Sequence, residues 1–200
     1  MKSKLLHLFA ATLALLAGCV PSVFPLLNEG DLVYEPDLIG AWTDDDSTWT
    51  FTKQKPDPAS KTYTLAIKDK NGATAEFEAL LGRIGGKLFL DISPTDLGKS
   101  GKNICQWAAI SLIPGHLFFR VWEVGPKLKF TAVRADHLSS LLKKDPKLLA
   151  HRVVSNDGVV LAATTADLQA FFIQHADDEE LFPIYDIDGL TRVASTAEKK

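Results

Sequence analysis

Residues 62–81 read TYTLAIKDKNGATAEFEALL, and this stretch decides the fold. Tyr63, Leu65 and Ile67 alternate with Thr62, Thr64 and Lys68; past Asn71-Gly72, Ala75, Phe77, Ala79 and Leu81 alternate with Thr74, Glu76 and Glu78. A period of two sends successive side chains to opposite faces of an extended chain, so each run is a strand with one apolar and one wet face. Asn-Gly between two such runs is a hairpin signal, because a type I′ turn needs positive φ at both central residues. One-faced alternation also belongs to antiparallel sheets, since parallel strands are covered on both sides and read as continuous apolar runs.

The pattern extends in both directions. Trp49 and Phe51 oppose Thr48, Thr50 and Thr52, while Leu128, Phe130 and Ala132 oppose Lys127, Lys129 and Thr131. Gly85-Gly86, Pro114-Gly115 and Gly125-Pro126 mark further reversals. Up to eight strands are predicted, over 38–43, 47–53, 62–68, 74–82, 87–92, 107–113, 116–124 and 127–134. Tight turns between consecutive strands make a meander, and a meander of that size removes its edges by closing on itself. The expected fold is mainly β: an antiparallel meander closing to a barrel or a strongly curved sheet, capped by one or two helices. Asp136 is placed to cap a short helix carrying Leu138, Leu141 and Leu142, stopped by Pro146. Asn156-Asp157-Gly158 joins two β-rich runs, 151–155 and 159–163. Thr164 or Thr165 then opens a helix to about Ala176, with Leu168, Phe171, Phe172 and His175 on one stripe.

The whole chain has 200 residues, 46% of them hydrophobic and 24% charged, with 13 Gly and 10 Pro, which is ordinary globular composition. Its formal charge of −3 gives it no general attraction for nucleic acid or anionic lipid. At the N-terminus Lys2 and Lys4 precede a nearly unbroken apolar run from Leu5 to Leu16, which ends on Leu16-Ala17-Gly18-Cys19. A positive start, a short apolar run and a small-residue exit read as an export signal. The run is too short to span a bilayer, which takes about 20 apolar residues.

The four exit residues, Leu16-Ala17-Gly18-Cys19, resemble the lipobox of bacterial lipoproteins. The resemblance implies cleavage before Cys19, a diacylglycerol thioether on its sulfur and a further acyl chain on its new amine. Two or three acyl chains anchor firmly where one binds marginally. It also implies a cell-envelope location. Val20 is not the aspartate that retains enteric lipoproteins at the inner membrane, so the expectation is the periplasmic face of the outer membrane where the source has one. The chain is then divided into a signal peptide at 1–18, the lipidated Cys19 with a tether to 36 that holds at most one docked apolar patch at Val23–Leu27, a single β-rich domain at 37–194 with a helical C-terminal part, and a disordered tail at 195–200. With Cys19 consumed by lipid, Cys105 stands alone and reads as a small buried hydrophobe.

A second resemblance rests on Gly40-x-Trp42, which is similar to the Gly-x-Trp of lipocalins, where the Trp seals the barrel base and a cation from late in the barrel packs against it. That implies a lipocalin-like barrel carrying a small hydrophobic ligand, with Arg120 or Arg134 as the cation. The extra hairpin and second helix depart from the family.

Chemical motifs are sparse. His116, His137, His151 and His175 lack the spacing of a zinc motif. Asp44-Asp45-Asp46 and Asp186-x-Asp188-Gly189 read as turns, and Asp177 or Asp178 as the cap of a new turn. Ser140-x-x-Lys143 lacks the partner motifs of a Ser-Lys site, and Gly98-Lys99-Ser100-Gly101 lacks the frame of a phosphate loop. The chain is therefore expected to be non-enzymatic and without cofactor. Two functions follow. One is binding of an acyl chain or similar apolar ligand inside the barrel, with Trp49, Tyr63, Phe77 and Phe130 in the lining and Arg120 clamping a carboxylate if it points inward. The competing place for Arg120 is solvent, with Leu117, Phe119 and Val121 facing the core. The other function is a solid barrel whose surface docks an envelope protein.

Overall fold

The computed structural model describes residues 20–53, 59–95, 115–154, 158–184 and 189–194. Its strands are β1 (Gly40–Thr43), β2 (Ser47–Lys53), β3 (Thr62–Asp69), β4 (Thr74–Ile84), β5 (Lys87–Pro94), β6 (Leu117–Val124), β7 (Lys127–Ala132), β8 (His151–Val153), β9 (Val159–Leu161) and β10 (Leu190–Arg192). Its helices are α1 (Ala135–Lys144) and α2 (Thr165–Gln174). Eight strands close into an antiparallel barrel in the order β1-β10-β7-β6-β5-β4-β3-β2, and β8 pairs with β9 as a separate hairpin.

The expected meander is present from β1 through β7, with Trp49 opposite Ile67 and Leu65 opposite Phe77. The strand that completes the barrel is a correction: it is β10, which bridges β7 and β1. Three residues carry too little alternation to announce a strand, and β10 is read only once the two edges it joins are known. The strand expected at 107–113 lies outside the described residues, as do Cys105 and Gly98-Lys99-Ser100-Gly101. The β3–β4 turn also differs. Gly72 N donates to Asp69 O and Asp69 N to Ala73 O, and the Asp69 carboxylate accepts from Asn71 N and Ala73 N. The loop is therefore one residue longer than a type I′ turn. Paired positive φ values occur instead at Gly85 and Gly86, 54° and 77°, in the two-residue turn joining β4 to β5.

Two cores result. Inside the barrel lie Trp42, Phe51, Tyr63, Leu65, Leu81, Leu90, Phe119, Val121 and Leu128, all buried. Outside it, Phe89 on β5 and Phe118 on β6 meet Leu138 and Leu142 of α1, Leu168, Phe171 and Phe172 of α2, and Phe182. Strands β5 and β6 are thus apolar on both faces, as KLFLDISP and LFFRVWEV show. Fully burying each such side chain contributes about 1.5–3 kcal/mol relative to leaving it in water. Thr164 caps α2 by accepting from Asp167 N. The cap expected at Asp136 is displaced: Arg134 occupies the N-cap of α1, and Asp136 in the first turn pairs with the Arg134 guanidinium.

The segment expected as a tether is docked to a greater extent than one patch. Val20, Leu26 and Leu27 are buried in the outer core. Ser22 exchanges backbone hydrogen bonds with His116, and Pro21 and Val23 bond to Leu161 on β9. Apolar residues spaced along a proline-rich segment leave water by lying along the barrel wall. Further on, Val33 N donates to Leu81 O, and a 3-10 turn at Pro36–Leu38 crosses one end of the barrel.

Candidate functional site

The lining is built by period two. Strands β2, β3 and β4 turn Trp49, Phe51, Tyr63, Leu65, Ile67, Phe77 and Leu81 inward, and β7 adds Leu128 and Phe130. Four of the five expected ligand-binding residues therefore face the lumen: Trp49, Tyr63, Phe77 and Phe130. Several of these rings meet one another inside it. The Trp49 ring lies 4.9 Å from that of Phe130 and 5.8 Å from that of Phe119, while Phe119 and Phe130 meet edge to face at 5.2 Å. Phe51 meets Tyr63 edge to face at 6.4 Å. Burial is graded along the barrel. Phe51, Tyr63 and Leu65 are fully covered, while Trp49, Ile67, Phe77 and Leu117, toward the end bearing the β1–β2 and β3–β4 turns, are only partly so.

The other end is sealed. Trp42 is fully buried and its indole N–H donates to Leu38 O at 2.9 Å. The Arg192 guanidinium stacks 4.3 Å over the Trp42 ring and donates to Ile39 O at 2.8 Å and to Asp37 O. Gly40 makes room for it: a Cβ there would meet Arg192 Nη1 at 2.7 Å. The cation against Trp42 is thus Arg192. Arg120 and Arg134, the two expected candidates, are elsewhere, and Arg134 is spent on Asp136 and Glu180. Arg192 escaped notice because its strand did; its sequence signal is a cation two residues beyond Leu190. The same end is tied by Tyr63, whose hydroxyl accepts from Glu35 N at 2.6 Å and donates to Glu35 O at 3.2 Å. Burial, against the opposing pull of the Glu35 hydrogen bond, pushes the phenol up to about 12.

Arg120 occupies neither of the places expected for it. It is 7% exposed, outside the barrel wall, and its guanidinium lies 4.4 Å over Trp122 and 5.5 Å from Phe89. It donates to the carbonyls of Leu88, at 2.9 Å, and Val121, while its Nε has no partner. Burial lowers its pKa, against the attraction of Asp177. The physical reason is the second core: a face that would be wet on a free-standing barrel is covered here by the helices, and Arg120 is covered with it. A carboxylate in the lumen has no contact with this guanidinium.

Asp91 is the buried acid that sequence reading missed, although an acid in the apolar run KLFLDISP was its signal. Its carboxylate accepts from Leu26 N at 2.8 Å and meets His116 Nδ1 at 2.8 Å. Ser22 lies opposite His116, yet its hydroxyl donates to Phe24 O at 2.8 Å. Ser, His and Asp together thus clamp the N-terminal segment rather than arm a nucleophile. Ser140 Oγ likewise donates to Asp136 O. Asp44 holds its turn by accepting from the Asp46 and Ser47 amides, and Asp178 caps the turn after α2 by accepting from Glu180 N. Among the described residues no group of three or more His, Cys, Asp and Glu side chains converges as a metal site. In comparisons with known proteins, no family model, no curated protein and no solved structure matches the chain.

Proposed function

We propose that this chain is a lipid-anchored, non-enzymatic protein of the cell envelope, in which a solid barrel with a helical layer presents its surface to an envelope partner. The observation that supports the docking role is the mutual contact of the Trp49, Phe119 and Phe130 rings inside the barrel; the interior of an eight-stranded barrel is just wide enough for side chains to fill. The anchor rests on Leu16-Ala17-Gly18-Cys19, and the outer-membrane address on Val20. Cys19 lies outside the described residues.

A second reading has its own support. Partial exposure of Trp49, Ile67, Phe77 and Leu117 at the unsealed end fits an apolar chain entering there, as the lipocalin-like shape suggests. One preparation separates the two. Cys19→Ala protein purified from cells retains no lipid by mass spectrometry and fails to bind a fluorescent fatty acid if the docking reading holds, and crosslinking of the native protein in cells recovers a reproducible partner. A stoichiometric acyl chain in that preparation replaces docking with carriage.

A further inference from the structure

Val20 lies one peptide bond from the proposed acylated residue. Val20 is buried, so an acyl group on Cys19 leaves no leash between bilayer and protein, and the body is held flush in one orientation. The register shows which surface accompanies the anchor. Ser22 bridges Leu161 in parallel, so counting back two residues sets Val20 level with Val159 on β9. Val159 is paired with Val153 on β8, and Val154 N donates to Gly158 O. Neighbouring strands are about 4.8 Å apart, which puts the turn end of the β8–β9 hairpin, with Val153 and Val154, roughly two strand spacings, about 10 Å, from Val20.

That end is apolar and uncovered: Val153 and Val154 are 53% and 45% exposed. Beside it, a groove of about 280 Å³ is lined by Lys143 and Pro146 at the end of α1 together with Val153 and Val159. Lys143 lines this groove, and Lys144 beside it at the end of α1 is exposed, followed by Asp145. The chain as a whole is acidic, but two lysines stand beside these apolar tips, and cations next to apolar tips settle into the headgroup region of an anionic bilayer.

We infer that Val153 and Val154, with Lys143 and Lys144 at the end of α1, form a second membrane contact that seats the barrel directly on anionic lipid. The inference rests on the lipid-anchor reading. Its test uses the full, processed protein in phosphatidylcholine vesicles containing a minority of phosphatidylglycerol. With Cys105→Ser in place, an environment-sensitive fluorophore is attached at Val154→Cys or, for reference, at Asp45→Cys on the exposed β1–β2 turn. The expected result is blue-shifted emission and several-fold stronger quenching by nitroxide-labelled lipid at position 154 than at 45. Charge reversal at Lys143 and Lys144 should reduce that difference while leaving the protein on the vesicles. Acylated protein whose label at 154 stays in water overturns the contact and leaves the anchor intact. A free thiol at Cys19 by mass spectrometry overturns both. Self-association through position 154 in the absence of lipid assigns the surface to a second copy and overturns the contact as well.

Discussion

Two buried polar residues bear on opposite faces of the barrel wall. Tyr63 is neutral and tied to the Glu35 backbone, and its ionisation is displaced from 10.0 to about 12. The neutral phenol therefore favours the folded state fully below pH 10, and that contribution disappears as the pH rises from 10 toward 12. Tyr63→Phe should lower stability at neutral pH by about 1–2 kcal/mol and remove this alkaline loss, as urea unfolding at a series of pH values will show. Arg120 is the contrary case, a buried cation held by two carbonyls and two aromatic faces, with an unpartnered Nε. Replacing such a charge with an apolar side chain of similar reach is commonly neutral or stabilising. Arg120→Met should stay within about 1 kcal/mol of the parent or exceed it, whereas Arg120→Ala should lose about 2–4 kcal/mol through the cavity it opens. Equal losses in the two variants would mean that the charge itself stabilises the fold.

Among the elements, those with long alternation were legible and those without it were not. β2, β3 and β4 follow from Trp49-x-Phe51, Tyr63-x-Leu65-x-Ile67 and Phe77-x-Ala79-x-Leu81, and the lumen residues follow with them. β10 is three residues long, and Arg192 was hidden with it. The second core was legible only in part: Leu168, Phe171 and Phe172 share one stripe of α2, but the apolar runs of β5 and β6 carry no signal that both faces are covered, which leaves Arg120 a choice only between lumen and solvent. The docked N-terminal segment was obscured by its prolines, which signal a linker whether or not the apolar residues between them find a surface. The Asp91 carboxylate joins this segment to β5 by accepting from Leu26 N. Asp91→Ala leaves Leu26 N unpaired in a buried site, and should cost about 1–3 kcal/mol. Hydrogen exchange should quicken in peptides covering 20–27 while the β2–β4 amides keep their protection. Uniform quickening across the barrel would show that the clamp is part of the global fold.

For the whole molecule, the arrangement is a barrel with Arg192 stacked on Trp42 at one end, lined by its own rings and covered on one flank by helices and by the segment that follows Val20. If Cys19 is acylated as proposed, the burial of Val20 makes that attachment a seat and not a tether, because it fixes orientation as well as location. The proposed envelope role depends on that attachment, and the mass of the mature N-terminal peptide tests it most directly. The account predicts a first residue at Cys19 carrying a diacylglyceryl thioether and an amide-linked acyl chain. A mature chain with an unmodified Cys19 thiol, or one that begins at another residue, would contradict it.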